Sequence, residues 1–330
     1  MSGVKAAVAA SRAPGGMAVI KVGADRLNIL EPAGYQTWKE EIPMIVSVIS
    51  GKGGTGKTFI ATNLVQTIDN KSKVQFLDCD VEEPNAHLFL KPELNSSRPV
   101  TIPVPEVDEE KCTYCGLCAE VCAFNALMVA ESKVLVFEQL CHGCGGCAYF
   151  CPEGAITEFD RPIGGLETGR NGEIQVGHGR LEPGEALSPP LIEAVKEEIN
   201  PNYLTIVDAP PGNSCSAVET VKGSDYCLLV TEPTPFGLHD LKLAVELIKI
   251  MKIPAGVVIN RYLENSDNRS IEEYCEREGL PVLLKIPFDR DLASCYARGE
   301  LVVEHFTPWR QVFADLGKRV IEDGGGNIDE

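Results

Sequence analysis

The stretch SGKGGTGKT, residues 50–58, decides the fold of this chain. An apolar run at residues 44–49 comes before it and predicts a buried strand, and residues 59–65, FIATNLV, predict a helix after it. A glycine-rich loop between a strand and a helix is the context in which this pattern predicts a phosphate-binding loop. Because the whole motif is present, the sequence favours a nucleotide site over the alternative, a glycine-rich turn that binds nothing.

The loop residues have separate predicted roles. Glycine has no Cβ, so backbone N–H groups can converge on the phosphates, and the helix N-terminus adds partial positive charge. Lys57 is expected to reach the β- and γ-phosphates of ATP, and the Thr58 hydroxyl is expected to ligate Mg²⁺. The residues predicted to contact the nucleotide here are Gly51, Gly53, Gly54, Thr55, Gly56, Lys57 and Thr58.

The composition is that of a globular chain with a strong acidic excess. Its 330 residues are enough for one large α/β domain and a small one. The net charge of −18 argues against nucleic acid and anionic membranes as partners. The sequence has no apolar run of about 18 residues to span a membrane and no secretory signal at its N-terminus. We therefore expect a cytoplasmic protein.

The cysteines follow a pattern that is typical of metal sites. Of the 13 cysteines, eight lie in two tight groups, and grouped thiols in a reducing compartment indicate metal binding rather than disulfides. Each group has the spacing C-x₂-C-x₂-C-x₃-C, and a proline follows the second group. This is the spacing of bacterial ferredoxins, in which the fourth cysteine of each run ligates the cluster held by the other run.

The crossed arrangement predicts two [4Fe–4S] clusters. The ligands expected for the first cluster are Cys112, Cys115, Cys118 and Cys151, and those expected for the second are Cys122, Cys141, Cys144 and Cys147. Zinc is the alternative, because C-x₂-C pairs also bind it. Two complete runs in tandem favour iron–sulfur clusters.

Lys52 adds a feature that an ordinary phosphate-binding loop does not need. With this second lysine, the run GKGGTGKT resembles the deviant Walker A motif of the MinD, Mrp and nitrogenase-iron-protein class of ATPases. The resemblance implies an ATP-dependent homodimer, or a heterodimer with a related ATPase, in which Lys52 reaches the partner's nucleotide. It also implies an ATPase that is slow and stimulated by a partner.

Two further segments carry the same resemblance. Residues 78–85, DCDVEEPN, resemble switch I of this class, and residues 204–212, LTIVDAPPG, resemble its Walker B strand and switch II. On this resemblance Asp80 positions the attacking water, and Thr58, Asp80 and Asp208 form the Mg²⁺ shell. An acidic turn at a strand end is the alternative for residues 78–85. The catalytic residues implied are Lys52, Lys57, Asp80 and Asp208.

Three other residues receive roles from the resemblance. Asn260 is expected to contact the adenine edge, and Pro287 lies in a segment that resembles the loop closing over the base. Cys215 follows seven residues after Asp208, the offset of a cluster-ligand cysteine in the nitrogenase iron protein. The other ligand cysteine of that protein has no counterpart here, so a buried thiol near switch II is expected for Cys215, and a bridging-metal or redox role is the alternative.

The predicted fold is α/β: a mostly parallel, doubly wound P-loop sheet with an inserted α+β bacterial-type ferredoxin domain. We predict an N-terminal appendage of unclear role at residues 1–43, in which residues 17–22 and 27–30 pair as a hairpin. The ATPase domain occupies residues 44–102 and 162–330, and the ferredoxin domain occupies residues 103–161. The second ATPase part begins with a return hairpin that contains a strand at residues 174–176. His178, next to it, is expected on the surface.

Two functions are compatible with these motifs. The first is an ATPase whose nucleotide state controls electron transfer through the two clusters to a protein partner. The second is an ATP-dependent carrier or scaffold for metallocluster assembly. Residues 101–160 hold ten acidic and two basic residues, a patch that fits a basic redox partner or is only a solvated surface.

Overall fold

The computed structural model describes residues 43–68, 73–263 and 269–325, together with the backbone of two N-terminal strands. The described strands are β1 (Ala7–Arg12), β2 (Ala18–Gly23), β3 (Met44–Ile49), β4 (Val74–Asp78), β5 (Glu93–Val107), β6 (Leu127–Ala130), β7 (Lys133–Val136), β8 (Ile156–Asn171), β9 (Ile174–Leu181), β10 (Leu204–Asp208), β11 (Tyr226–Thr231), β12 (Ala255–Tyr262) and β13 (Val282–Pro287).

The described helices are α1 (Lys57–Gln66), α2 (Ala86–Leu90), α3 (Leu117–Glu120), α4 (Gly146–Tyr149), α5 (Pro189–Lys196), α6 (Cys215–Val221), α7 (Pro235–Met251), α8 (Arg269–Glu278), α9 (Arg290–Ala297), α10 (Val302–His305) and α11 (Thr307–Gly324). None of these helices is long and apolar enough to cross a membrane.

One large sheet organises the molecule. Its eleven strands run in the order β1-β2-β13-β12-β11-β3-β10-β4-β9-β8-β5, and the seven from β13 to β9 are parallel to one another. Helices cover both faces, which is why strands such as β10 and β11 are buried along their whole length. The predicted mostly parallel, doubly wound sheet is confirmed.

The core divides between the two faces of the sheet. Leu228 and Val230 of β11 point to the face packed by α1 and α11, whereas Cys227 and Leu229 point to the face packed by α7 and α8. This alternation follows from the two-residue period of a strand. Because the central strands are parallel, their carboxyl ends lie together at one edge of the sheet, where ligands bind in sheets of this kind.

The N-terminal strands β1 and β2 extend the sheet beyond β13. Ala18–Gly23 forms a strand near the predicted residues 17–22, and it pairs in parallel with β13 at Ala18. Its hairpin partner is the upstream strand Ala7–Arg12. The predicted pairing with residues 27–30 stays a prediction, because residues 27–30 lie outside the described residues.

A long two-stranded ribbon leaves the sheet at β5 and β8. The two strands pair antiparallel from Glu93 and Arg170 to Val107 and Ile156, but β9 accompanies β8 only from Gly164 onward. Residues 101–107 and 156–162, called the ribbon below, therefore extend past the sheet by about 23 Å, at roughly 3.3 Å per residue.

The eight cluster cysteines lie at the far end of the ribbon or beside it. Residues 108–155, called the cysteine module below, contain the β6–β7 hairpin and the short helices α3 and α4. Ala126, Leu127 and Val134 of the module share one hydrophobic cluster with Ile102 and Val104 of β5. The module is thus packed against the ribbon.

The predicted domain borders at residues 103 and 161 fall inside β5 and β8. These strands continue from the ATPase sheet into the cysteine module without interruption, so the chain has no loop at either border. The division into domains stays a prediction. The expected return hairpin is present as β8 and β9.

Candidate functional site

The loop between β3 and α1 has the backbone of a phosphate-binding loop. Gly54 and Gly56 have φ of +77° and +98°, which only glycine adopts without strain. A Cβ on Gly51 would collide with the backbone of Asp240. α1 begins at Lys57, so its free N–H groups face the loop. The sequence folds this way because only glycines fit these positions.

A cavity of about 330 Å³ opens beside this loop. It brings together eight residues predicted from the sequence: Gly53, Gly54, Gly56, Lys57, Thr58, Asp80, Asn260 and Pro287. Glu83, Arg261, Phe288 and Tyr296 also line it and were not foreseen. The volume and the mixture of glycine loop, cation and apolar wall suit a nucleotide.

Asp80, which lines the cavity, and Asp208, which is buried and bonded to Thr58, have the character of a cation site. Thr58 Oγ1 donates to Asp208 Oδ2 at 2.5 Å, while Asp208 Oδ1 is buried with no hydrogen-bond partner among the described residues. Burial raises the pKa of Asp208 to about 7 and that of Asp80 to about 6. A divalent cation would compensate this buried negative charge, so the residues fit the predicted Mg²⁺ shell.

Asp78 organises switch I, a role that the sequence did not reveal. Its carboxylate accepts the N–H groups of Asp80 at 3.0 Å, Asn85 at 3.1 Å and Ala86 at 3.0 Å. It is the register partner of Asp208 on the adjacent strand, and burial followed by the Asp208 charge raises its pKa. The start of α2 is therefore fixed relative to the cation site.

Lys52 lies outside the residues lining the cavity. Its ammonium pairs with Glu232, and the other oxygen of Glu232 accepts from Arg261 at 3.1 Å. Glu232 was not singled out from the sequence, because it lies far from Lys52 in the chain. Contact between Lys52 and a partner's nucleotide stays a prediction, and that contact requires this ion pair to open.

Asn260 is bonded to the loop. Its Nδ2 donates to the carbonyl of Thr55 at 2.7 Å, and its Oδ1 accepts the N–H of Arg261 at 2.9 Å. A Cβ on Gly56 would collide with the Asn260 amide. Asn260 thus braces the phosphate-binding loop, and the predicted contact with adenine remains a prediction.

The cysteine module contains two small cavities of about 20 Å³ each. Each is lined by four of the cluster cysteines. The first set is Cys112, Cys115, Cys118 and Cys151, and the second is Cys122, Cys141, Cys144 and Cys147. These are the crossed sets expected from the spacing, with the fourth cysteine of each run in the cavity of the other.

The two halves of the module repeat the same local geometry. α3 follows Gly116 and α4 follows Gly145, both with positive φ. Cys122 Sγ accepts the N–H of Ala126, and Cys151 Sγ accepts the N–H of Ala155, both at 3.3 Å. N–H donors aimed at sulfur favour thiolates, and four cysteines around an apolar cavity suit an iron–sulfur cluster.

The remaining cysteines divide by burial. Cys79, Cys227, Cys275 and Cys295 are buried, whereas Cys215 is exposed. Cys215 is the first residue of α6, directly after switch II. The expectation that Cys215 is a buried thiol is therefore wrong, because the first residue of α6 is exposed to solvent.

His178 also differs from the expectation of a surface position. It lies on β9 and is 1% exposed, with Nε2 2.9 Å from Glu167 Oε2. Its ring stacks on that of His87 of α2 at 5.2 Å between centroids. Desolvation lowers the pKa of both histidines. Glycines on both sides suggested a loop, but at this position they allow close packing inside the sheet.

Comparison with known proteins places this site in a family. The model of the CobQ/CobB/MinD/ParA nucleotide binding domain matches residues 46–302. The chain belongs to that family. It is accordingly a P-loop ATPase of the MinD and ParA type.

Individual relatives extend the comparison. An uncharacterised protein of Methanocaldococcus jannaschii is 34% identical over 79% of this MinD-type chain and 92% of its own length. The iron–sulfur cluster carrier protein of Pyrococcus abyssi is 24% identical over 91% of this chain and 92% of its own. The cell division ATPase MinD of Pyrococcus furiosus superposes with a TM-score of 0.50 at 20% identity, over 85% of this chain and 99% of that one.

Nucleotide binding is expected to release protons from the cation site. Below about pH 7 Asp208 carries a proton in the free protein, and Mg²⁺ must displace it. MgADP binding should therefore release about one proton near pH 6 and almost none near pH 9. Calorimetry in buffers of different ionisation enthalpy measures the release, and the difference from Asp208→Asn gives the contribution of Asp208, because Asp80 and the phosphates remain in that variant. Equal release at both pH values would contradict the prediction.

The crossed cysteine sets predict which cluster each substitution removes. Cys151→Ser should remove the cluster of Cys112, Cys115 and Cys118, although residue 151 belongs to the second run. Anaerobic protein should then keep about four irons and four sulfides out of about eight of each. Cys122→Ser is the matched variant and should remove the other cluster. Electron paramagnetic resonance distinguishes the two clusters, and the signal that survives in Cys151→Ser should match the one that survives in Cys112→Ser. A match with Cys141→Ser instead would refute the crossing.

Proposed function

We propose that this MinD-type ATPase acts as an ATP-dependent dimer whose nucleotide state controls electron transfer through two [4Fe–4S] clusters. The observation that carries the proposal is the position of α2. It follows switch I directly, and two residues, Lys91 and Pro92, separate it from β5. A change at switch I therefore has a short covalent path to the strand that carries the cysteine module.

The side chains of α2 contact both ends of this path. Phe89 stacks on Tyr296 at 4.8 Å between centroids, and Tyr296 lines the nucleotide cavity. On the other side His87 stacks on His178 of β9, and the carbonyl of Leu90 accepts from the Asn171 side chain at the end of β8. A shift of α2 would reach β5 and β8 at the ends that lie within the sheet, and both strands continue from there into the ribbon.

The phosphoryl chemistry is assigned to the residues of the cavity. Lys57 binds the β- and γ-phosphates, Thr58 and Asp208 hold Mg²⁺, and Asp80 orients the attacking water. Lys52 leaves Glu232 and stabilises the charge on the partner's nucleotide when two copies meet. The raised pKa of Asp80, about 6, suits a carboxylate that handles a proton near neutral pH.

The clusters would supply one-electron transfer when bound. The cysteine module would hold the first cluster at the tip of the ribbon and the second beside the ribbon, and its acidic surface suits a partner with a basic contact surface. Glu120, Glu131, Glu138 and Glu153 are among its exposed charges. A redox protein, or a protein that receives a metallocluster, is the proposed partner.

A second candidate function is an ATP-dependent carrier or scaffold for metallocluster assembly. Two observations favour it. Cys215 is exposed beside switch II, where two copies could present one thiol each, and proteins named iron–sulfur cluster carriers are similar along 91% of this chain. In this function the clusters of the module would support the assembly of a cluster bound elsewhere.

Substitution of Lys57 is expected to abolish the effect of nucleotide on cluster reduction. Lys57→Ala should lower ATP hydrolysis by about 10²-fold or more, because a charge that stabilises the transition state is removed. Iron and sulfide contents should not change. MgATP should no longer alter the rate at which reduced methyl viologen bleaches the visible absorbance of the clusters.

Lys249→Ala is the control for this experiment, since Lys249 lies at the far end of α7 and pairs with Glu278 on the surface. It should behave as the unsubstituted protein does. An undiminished effect of MgATP on cluster reduction in Lys57→Ala would refute nucleotide control.

The carrier function makes a separate prediction about Cys215. Protein reconstituted with iron and sulfide should hold iron beyond about eight atoms per chain, and that excess should pass to an apo-ferredoxin. Cys215→Ser should lose the excess and the transfer while keeping the module clusters. Cys275→Ala, at a buried cysteine, is the control. Excess iron that persists in Cys215→Ser would rule out this assignment.

A further inference from the structure

Arg161 is a buried cation at the base of the ribbon. Its guanidinium side chain is 14% exposed and donates from Nη1 to Glu185. Its Nε and Nη2 are buried and have no hydrogen-bond partner among the described residues. Donors of this kind are costly to leave unmatched, and nothing in the ATPase site accounts for them.

The loop that carries the second cysteine set lies against the strand opposite Arg161. The register partner of Arg161 on β5 is Ile102. A Cβ on Gly143 would lie 3.3 Å from Ile102 Cβ and 3.0 Å from Pro103 Cδ. Cys141 Sγ is 3.9 Å from the carbonyl of Pro103. The second cysteine set therefore lies against the strand that pairs with the one carrying Arg161.

The first cysteine set lies farther along the ribbon. Its cavity is lined by Val107 and Ile156, at the tip, whereas the second cavity is lined by Pro105 and Glu158. Five residues of extended strand separate residues 161 and 156, about 16 Å at roughly 3.3 Å per residue. The charge of Arg161 therefore acts unequally on the two sites.

The partner of Arg161 connects to switch II. Glu185 also accepts the N–H groups of Ala186 and Leu187, both at 3.1 Å. In the same loop the Ser188 hydroxyl is 2.7 Å from the hydroxyl of Ser216, and both serines are buried. Ser216 is the second residue of α6, directly after switch II. A continuous set of contacts thus runs from switch II to Arg161.

We propose that Arg161 sets the reduction potential of the second cluster, and that the Glu185 loop makes this potential respond to the nucleotide through switch II. The inference rests on the proposed function for the presence of the clusters. A reduced cluster carries one more negative charge than an oxidised one, so a nearby buried cation favours reduction. Removing the cation lowers the potential, and removing the Glu185 charge raises it.

Redox titration of the whole protein followed by electron paramagnetic resonance tests the first half. In Arg161→Gln the equilibrium constant for reduction of one cluster should fall at least tenfold, about 59 mV for one electron, and the other cluster should not shift. Arg161→Lys keeps the charge and should shift less. Lys111→Gln, at an exposed lysine of the module paired with Asp108, should shift neither cluster because solvent screens that charge.

Glu185→Gln provides a second measurement in case Arg161→Gln fails to fold. It should shift the same cluster in the opposite direction. Intact clusters with unchanged potentials in Arg161→Gln, or no opposite shift in Glu185→Gln, would overturn the assignment of Arg161.

The link to switch II has its own test. In the unsubstituted protein a non-hydrolysable ATP analogue with Mg²⁺ should shift the potential of the second cluster, and Ser188→Ala should abolish that shift without weakening nucleotide binding. A full shift in Ser188→Ala would overturn the link. Failure of the proposed function would be distinct, because the unsubstituted protein would then contain no clusters or show no nucleotide effect on either one.

Discussion

Buried negative charge at the carboxyl edge of the sheet is the constraint on which the ATPase depends. Asp78 and Asp208 are in register on adjacent strands, and both are fully buried. Desolvated like charges at this spacing are unfavourable unless a cation or hydrogen bonds compensate them. Asp78 is compensated by three backbone N–H groups, whereas among the described residues Asp208 has one side-chain hydrogen bond, from the Thr58 hydroxyl, and the charge of Lys57. The site is therefore built to be completed by Mg²⁺ and nucleotide.

This asymmetry gives the two aspartates different duties. The hydrogen bonds of Asp78 are satisfied within the chain, so Asp78 holds the geometry of switch I. Asp208 Oδ1 has no hydrogen-bond partner among the described residues. A cation bound to this oxygen can therefore change the relative stability of the conformations of the neighbouring switches. Because α2 begins at the residues that Asp78 holds, the same constraint reaches the ribbon and the cysteine module.

Short-range patterns predicted the parts of the site that a few adjacent residues determine. The glycine loop, the aspartate that ends β10 and the two cysteine runs each depend on local backbone geometry, and the structure brings their residues together at the expected places. The sequence did not predict the long-range side-chain pairs, which are Lys52 with Glu232, Arg161 with Glu185 and His178 with His87. No spacing rule connects such partners, since only the assembled sheet brings them together.

The ribbon was missed for a different reason. β5 contains Pro99, Pro103 and Pro105, and proline argues against a strand when the sheet order is unknown. The β8 strand is rich in glycine and polar residues and gives no clear alternation. The ATPase sheet and the ferredoxin-like spacing were each clear, but the strands that join them had no signal of their own.

The three prolines of β5 have a consequence for assembly. β5 is the last strand of the sheet, so its outer side offers a template that a strand of a neighbouring molecule could extend. Each proline lacks an N–H donor, which breaks the ladder that such an addition would need. Association of two copies by continuing one sheet into the next is thereby discouraged on this side. The edge of the sheet that continues into the cysteine module is therefore protected against polymerisation by strand addition.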